Sequence, residues 1–290
     1  MKPPVFEYRR AESLDHACEL LSVSGEDSKI LAGGQTLIPM MNFRLARPKV
    51  LIDIGNIADG NQITEEAGGI RIRATTVQRF VEKSTVVRAR LPLLQHAIQH
   101  IAHFQIRNRG TIGGSIANAD PASELPSMSL ALDAQFELRG HGKSRTVAAT
   151  DFFLTYMTTA LEPDEILASI RFQEPPLGSG WGFHEVARRS GDFALAGSAA
   201  VITLDSGGKC IRARVVLLGV APTPVRATGT EELLLGQRHS PQLIAEVAHK
   251  VQEVVDPESD VHVTAEYRRN VAEVLAVRAL NDAFRMADGR

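Results

Sequence analysis

A dense group of small and polar side chains occupies residues 107–126, in the order RNRGTIGGSIANADPASELP. Two adjacent glycines, Gly113 and Gly114, stand among hydroxyl, amide and carboxylate groups, with Arg107 and Arg109 just upstream. Glycine accepts positive φ and lets a ligand approach the backbone closely, so such a run can direct several N–H groups at one anion. The pattern indicates a phosphate site, although a surface turn between two elements would have a similar composition.

A second glycine turn lies near the start of the sequence, where Gly33 and Gly34 follow a short apolar strand at 29–32. A helix over 38–44 and a buried strand over 50–54 come next, which predicts a small βαβ unit. The glycine spacing is not G-x-G-x-x-G, so the turn does not fit a Rossmann site. Two glycine turns suit a diphosphate clamped from two sides, because N–H and hydroxyl donors from both can reach its oxygens. They therefore imply a dinucleotide cofactor.

The overall composition excludes several classes of protein. The chain has 290 residues, of which 44% are apolar and 23% charged, and its formal net charge is −2. This charge disfavours a nucleic-acid partner. No stretch approaches the roughly 18 uninterrupted apolar residues of a membrane span, and we expect a cytoplasmic protein. The two cysteines, Cys18 and Cys210, are too few to hold an iron–sulfur cluster or a cysteine-rich zinc ion.

The other motifs that could carry chemistry are weaker. A predicted helix over 91–106 carries His96, His100 and His103 on one face, but no carboxylate accompanies them at ligand spacing. Gly-Lys-Ser at 142–144 is no P-loop, because a glutamate stands where the first glycine would be and the setting is a hairpin turn. Triads, paired carboxylates and zinc motifs do not stand out. No catalytic residue and no metal ligand is predicted, so a cofactor would carry the reaction.

The remaining pattern divides the chain into parts. Alternating polarity at 69–74 and 134–148 predicts antiparallel strands, and the Pro- and Gly-rich stretch at 175–180 predicts a linker. Three further strands and then helices follow, ending in an amphipathic helix over 265–286. The predicted parts are residues 1–58, 59–176 and 177–290.

The two glycine turns resemble those of the FAD-binding medium subunit of the molybdenum hydroxylases, the family of carbon monoxide dehydrogenase and xanthine dehydrogenase. The resemblance runs nearly end to end, and its further motifs lie at 51–54, 107–110, 160–167, 188–194, 219–224 and 265–269. It implies an α+β fold. Residues 1–58 and 59–176 would be the two lobes of an FAD-binding domain of the vanillyl-alcohol-oxidase and CO-dehydrogenase flavoprotein type. Residues 177–290 would be an antiparallel sheet with a helical bundle.

The resemblance also implies which residues contact FAD. Those implied around the pyrophosphate from the first lobe are Ala32, Gly33, Gly34, Gln35, Thr36 and Leu37. Those implied around it from the second lobe are Thr111, Ile112, Gly113, Gly114 and Ser115. The ribityl, ribose and adenosine stretch would meet Ala117, Asn118 and Glu124, and Asp120 belongs to the same set. Ile166 or Leu167 would touch the adenine or dimethylbenzene side, and Phe193 would shield one face of the isoalloxazine.

Three positions depart from the pattern of the family. Ser115 stands where asparagine is common, but a hydroxyl can still donate to phosphate. Phe193 replaces a frequent tyrosine, which keeps the aromatic plane and removes a hydroxyl. Glu185 stands where many relatives have lysine. A carboxylate in place of an ammonium near the flavin would disfavour the anionic reduced form, which leaves the redox poise and the acceptor open.

The function implied by the resemblance is electron transfer within a heterotrimeric molybdenum hydroxylase. FAD here would accept electrons from [2Fe-2S] clusters on a small partner subunit and pass them to an external acceptor. A large partner subunit would hold the molybdopterin cofactor and choose the substrate, and two heterotrimers would form a dimer. Two alternatives stay open: a stand-alone flavin-dependent oxidoreductase of the same fold, and a nucleotide-binding protein without enzymatic activity.

Overall fold

Three β-sheets and a small two-stranded hairpin organise the part of the chain that the structure describes. The structure is a computed structural model that describes residues 2–57 and 60–289. The predicted boundary between residues 58 and 59 lies outside the described residues, and the division into three parts stays a prediction. None of the described helices is long and apolar enough to cross a membrane.

The N-terminal sheet is parallel, and its elements are β1 (Glu7–Arg10), α1 (Leu14–Ser24), β2 (Ser28–Leu31), α2 (Leu37–Asn42) and β3 (Val50–Asp53). A 3₁₀ turn, Gly25–Asp27, joins α1 to β2. The central strand is β3, with β1 and β2 beside it. β2, α2 and β3 form the predicted βαβ unit. β1 was not predicted, because its residues are mostly exposed and charged and show no apolar alternation.

The middle sheet is antiparallel. Its strands and those of the small hairpin are β4 (Ile63–Glu66), β5 (Gly69–Arg73), β6 (Gln135–Gly140), β7 (Lys143–Ala148), β8 (Phe153–Thr155), β9 (Thr158–Thr159) and β10 (Ile166–Gln173). The sheet order is β4-β5-β10-β6-β7, and β8 pairs with β9. The helices of this part are α3 (Gln78–Lys83), α4 (Thr85–Arg90), α5 (Pro92–Ile98), α6 (Phe104–Arg107), α7 (Ile112–Asn118), α8 (Glu124–Ala131) and α9 (Ala149–Phe152). Together they enclose a core in which Ile70, Phe136 and Phe172 are fully buried.

The predicted continuous helix over 91–106 is wrong. α5 ends at Ile98, Ala102 adopts a left-handed φ of 41°, and α6 begins only at Phe104. The guanidinium of Arg107 donates to the carbonyl oxygens of Ile101 and Ala102, at 2.6 and 3.0 Å, which holds the chain in this bend. The bend removes the single helix face on which the three predicted histidines would have stood.

The C-terminal sheet is antiparallel, with strands β11 (Gly180–Ala187), β12 (Ala194–Leu204), β13 (Cys210–Leu218) and β14 (Val225–Arg226) in sequence order. Its helices are α10 (Thr228–Leu234), α11 (Pro241–Lys250), which continues into a 3₁₀ turn (Val251–Glu253), and α12 (Ala265–Ala287). α12 lies directly on β11, because a Cβ at Gly182 would overlap the carbonyl oxygen of Ala279. This antiparallel sheet with its helices confirms the predicted C-terminal fold.

The middle and C-terminal sheets share one hydrophobic core. Phe183 on β11, Val201 on β12 and Leu218 on β13 belong to the same buried cluster as Ile112 and Met128 on the helices of the middle part.

Candidate functional site

The two glycine turns meet, although many residues separate them in sequence. A Cβ at Gly33 would overlap the carbonyl oxygen of Arg109 and lie 2.8 Å from the Cα of Gly110. A Cβ at Gly114 would lie 3.7 Å from the Cβ of Ala32. The fold therefore places the turn after β2 directly against the start of α7, as a clamp built from two loops requires.

The first turn offers backbone donors. Among the described residues, none accepts a hydrogen bond from the backbone N–H groups of residues 33–36. Gly34 has a φ of 71°, and the side-chain amide of Gln35 donates to the carbonyl oxygen of Gly33 at 2.9 Å, which stabilises the turn. Unpaired N–H groups on successive residues of a turn form a concave anion site.

The second turn differs from the expectation of two equivalent sets of donors. It is not a loop but the first turn of α7, and its N–H groups are already used. Those of Ile112 and Gly113 donate to the carbonyl oxygens of Thr76 and Ala74, at 2.9 and 2.8 Å. That of Gly114 donates to the Thr111 hydroxyl at 3.0 Å. The start of α7 therefore contributes small residues, which leave room for a ligand, and side-chain donors. It does not contribute free backbone N–H groups.

Side-chain donors on α7 are available in place of those amides. Ser115 and Asn118 are half-buried, and their side chains form no hydrogen bond with any residue that the structure describes. Gly113 and Gly114 have different roles, because a Cβ at Gly113 would overlap the side chain of Ala74. Gly113 thus lets α7 pack on the core, whereas Gly114 keeps the surface facing Ala32 open.

Two acidic residues, Asp120 and Glu124, follow α7 and are at least half-buried. Asp120 is half-buried, and its carboxylate accepts a hydrogen bond from the N–H of Ala122 at 2.9 Å. Burial raises the pKa of Asp120. Glu124 is 6% exposed, and burial together with the nearby charge of Glu185 raises its pKa to about 8. A carboxyl group with this pKa is mostly protonated at neutral pH and can donate a hydrogen bond.

The remaining predicted residues divide between buried and exposed positions. Ile166 and Leu167 are each 4% exposed and pack in two different cores, Ile166 beside Leu14 of α1 and Leu167 in the shared core. They leave little surface for a ligand. Phe193 is 66% exposed and lies in the turn before β12, where Gly191 packs against the ring of His103. An exposed aromatic ring is available to stack on a planar group.

His100 does not lie on a helix, as the sequence predicted, but in the bend after α5. Its Nδ1 lies 3.2 Å from Oε1 of Glu185, whereas His103 contacts Gly191 on a different side of the bend. Within the described ranges, no group of three histidine, cysteine or acidic side chains could hold a metal ion. The helical spacing correctly predicted that His96 and His100 lie close together, since their ring centroids are 5.2 Å apart.

Comparison with known proteins identifies the family of the chain. Residues 4–174 match the family model described as the FAD binding domain in molybdopterin dehydrogenase, and residues 181–283 match the CO dehydrogenase flavoprotein C-terminal domain. The chain belongs to the FAD-binding medium subunits of the molybdenum hydroxylases. The predicted family and the predicted α+β fold are therefore confirmed.

Relatives of this medium subunit align over almost its whole length. The 6-hydroxypseudooxynicotine dehydrogenase complex subunit alpha of Paenarthrobacter nicotinovorans is 40% identical, covering 99% of this chain and 97% of the relative. A structure of carbon monoxide dehydrogenase from Hydrogenophaga pseudoflava matches with a TM-score of 0.96 and 41% identity over 99% of both chains. Quinoline 2-oxidoreductase from Pseudomonas putida 86 matches with a TM-score of 0.94 and 33% identity, also over 99% of both.

Proposed function

We propose that this medium subunit binds one FAD between the turn at 32–37 and the start of α7, and that it transfers electrons through this FAD. The observation that carries the proposal is the row of free N–H groups at residues 33–36, in a turn that packs against residues 109–114. A pyrophosphate needs several donors on adjacent oxygens and close approach to the backbone, and this arrangement supplies both. The donors of this site therefore fit the pyrophosphate of FAD.

Each side of the site has a distinct part in binding. The N–H groups of the first turn would bind the pyrophosphate oxygens, and the Ser115 hydroxyl and the Asn118 amide would donate from the other side. Asp120 and Glu124 would lie along the sugar portion, and the exposed ring of Phe193 would cover one face of the isoalloxazine. Ile166 and Leu167 would support the site from behind, since both are buried. When bound, FAD supplies the redox chemistry that the side chains themselves lack.

The proposed partners follow from the family. We propose a small subunit with [2Fe-2S] clusters as the electron donor and a large molybdopterin subunit as the site of substrate oxidation, assembled as a dimer of heterotrimers. Relatives named for 6-hydroxypseudooxynicotine, carbon monoxide and quinoline are all similar to this chain. These names denote chemically unrelated compounds, which supports substrate choice in the large subunit. The free, buried thiols of Cys18 and Cys210 are consistent with a reducing compartment, and we propose the cytoplasm.

The test is the flavin content of the purified full chain and of Gly114→Leu. We expect the wild type to carry FAD, or to take it up on reconstitution, and Gly114→Leu to lose retention by more than tenfold, because its Cβ would lie 2.7 Å from the Thr111 hydroxyl and its side chain would enter the space facing Ala32. Gly229→Leu is the control, since a Cβ there would meet only the end of Lys250. Circular dichroism checks that each variant folds.

Two results would contradict the proposed function. A folded wild type that cannot be loaded with FAD would exclude the site, and equal flavin content in Gly114→Leu would exclude the clamp. Turnover of candidate substrates by the chain without partner subunits would support the stand-alone oxidoreductase instead.

A further inference from the structure

A cavity of about 490 Å³ lies between α5, β11 and α12. None of its lining residues belongs to those proposed to contact FAD. Its volume is within the usual range of small-molecule sites, about 300–1,000 Å³. The cavity is therefore large enough for a ligand of its own, and the chemistry of its walls indicates which kind.

The cavity opens along the edge of β11. In the part of the chain that the structure describes, β11 pairs with β12 alone, so no strand covers its other edge. Residues 181–184 all line the cavity, although successive residues of a strand point to opposite faces of the sheet. Only a cavity at the edge can reach both faces. One wall therefore lies on the side of α5, and the other lies on the side of α12.

The wall on the α5 side is aromatic. The ring centroid of His96 lies 5.2 Å from that of Trp181 and 6.2 Å from that of Phe183. Trp181 is half-buried and lines the cavity. Burial lowers the pKa of His96, which favours an uncharged imidazole in this wall. Neutral rings arranged in this way attract the face or the edge of a flat aromatic ligand.

The wall on the α12 side is polar and carries a guanidinium. Oδ2 of Asp282 lies 2.7 Å from Nε2 of His184, so this carboxylate already has a partner. Nη2 of Arg285 lies 3.4 Å from Oδ1 of Asp282, and the side chain of Arg285 is 63% exposed. Arginine presents five N–H donors in a planar fork that matches a carboxylate. Arg285 can therefore bind one anionic group of a ligand, while the charge of Asp282 disfavours a second.

We propose that this cavity binds a small aromatic monocarboxylate. The ring of the ligand stacks against Trp181 beside His96, and its carboxylate accepts hydrogen bonds from the guanidinium of Arg285. Trp181 selects for a flat ring, and Arg285 selects for the negative charge. This binding is independent of FAD, because no residue of the two glycine turns lines the cavity.

Trp181 is the only tryptophan of the chain, so tryptophan fluorescence reports directly on the cavity. Benzoate is the probe, and we expect a saturable change in this fluorescence when it is titrated into the full chain. Benzamide has the same ring without the charge, and cyclohexanecarboxylate has the charge without the aromatic ring. Benzamide should bind about tenfold more weakly than benzoate, because it lacks the charge-assisted hydrogen bonds. Cyclohexanecarboxylate should bind about threefold more weakly, because it cannot stack.

Variants separate the contributions of the two walls. Arg285→Gln should weaken benzoate binding by about tenfold and remove the preference for benzoate over benzamide. The matched control is Arg278→Gln, an exposed arginine on the same helix that does not line the cavity, and it should bind benzoate as the wild type does. Trp181→Leu should weaken benzoate binding by about threefold, measured by ligand-observed NMR because the fluorophore is lost.

The same NMR titration after loading with FAD separates this cavity from the flavin site. We expect equal affinity for benzoate with and without FAD, and competition between the two would overturn the assignment. It would also be overturned if wild type shows no saturable change up to about 10 mM benzoate, or if Arg285→Gln binds benzoate as wild type does. A chain that takes up no FAD would contradict the proposed function alone, because Arg285→Gln would still decide the binding of benzoate.

Discussion

Gly33 shows how single atoms control the contact between the two turns. A Cβ at this position would overlap the carbonyl oxygen of Arg109 and approach the Cα of Gly110 to 2.8 Å. Both neighbours are backbone atoms, so they cannot move aside as the end of a flexible side chain would. The residue therefore fixes the distance between the free N–H groups of the first turn and α7.

We expect Gly33→Ala to lower FAD retention by at least tenfold and to reduce the free energy of unfolding by about 1–3 kcal/mol, because overpacking must push the two turns apart. Flavin absorbance after gel filtration and urea unfolding measure the two effects. Gly229→Ala should leave both unchanged, since a Cβ there has no neighbour nearer than 3.7 Å. Full flavin content in Gly33→Ala would show that the contact between the turns does not position the donors.

The packing of α12 on β11 in the C-terminal part depends on a glycine, Gly182. α12 lies on β11 because Gly182 has no side chain to keep the helix away, and a Cβ there would lie 2.8 Å from the Cα of Ala279. The opposite face of β11 carries Phe183, which packs in the core shared with the middle part, and Glu185, which lies 3.2 Å from His100. The strand thus packs on α12 through one face and on the core of the middle part through the other.

Gly182→Ala should reduce the free energy of unfolding by about 1–3 kcal/mol and lower the melting temperature, because α12 must shift away from β11. Calorimetry of the full chain measures the change. The control is Val274→Ala on α12. The side chain of Val274 is 48% exposed, and its truncation should lower the free energy of unfolding by no more than about 0.5 kcal/mol. Equal melting temperatures for Gly182→Ala and wild type would refute the close packing of α12 on β11.

At the scale of the whole molecule, an ion network joins the middle and C-terminal parts. Asp133, which follows α8 with a φ of 42°, accepts hydrogen bonds from Arg212 at 2.6 Å and from Arg214 at 3.0 Å. Arg226 on β14 lies 3.4 Å from the same carboxylate. Burial alone would raise the pKa of Asp133, but the hydrogen bonds and charges of Arg214 and Arg212 outweigh it and lower the pKa.

A carboxylate with a lowered pKa contributes stability that is complete above the unfolded pKa, about 3.9, and is lost as the pH falls through the folded value. We therefore expect Asp133→Asn to lose about 1–3 kcal/mol at neutral pH and to show a weaker decline of stability in acid than wild type. Urea unfolding at a series of pH values measures both effects. Asp151→Asn, at an exposed carboxylate on α9, is the control. Parallel pH profiles for Asp133→Asn and wild type would contradict the role of the network.

Much of the fold and part of the site could be predicted from local patterns. Ser13 caps α1, as expected of a serine before an apolar helix, with its hydroxyl accepting from the N–H of His16 at 3.0 Å. The βαβ unit and the long C-terminal helix follow from apolar periodicity. The predicted helix over 91–106 was wrong because Arg107 donates to two carbonyl oxygens at the bend, an interaction that apolar periodicity does not reveal.

The sequence by itself determined the family, the fold class and the two glycine turns, because these depend on residue types at short spacing. The structure decided which N–H groups of those turns are free. Thr76 and Ala74 accept the N–H groups of Ile112 and Gly113, whereas residues 33–36 find no acceptor among the residues described. The structure also brought Nδ1 of His100 to 3.2 Å from Oε1 of Glu185. Such pairings join segments that are distant in sequence, and only the packing of α7, α8 and the C-terminal sheet sets their distances and their burial.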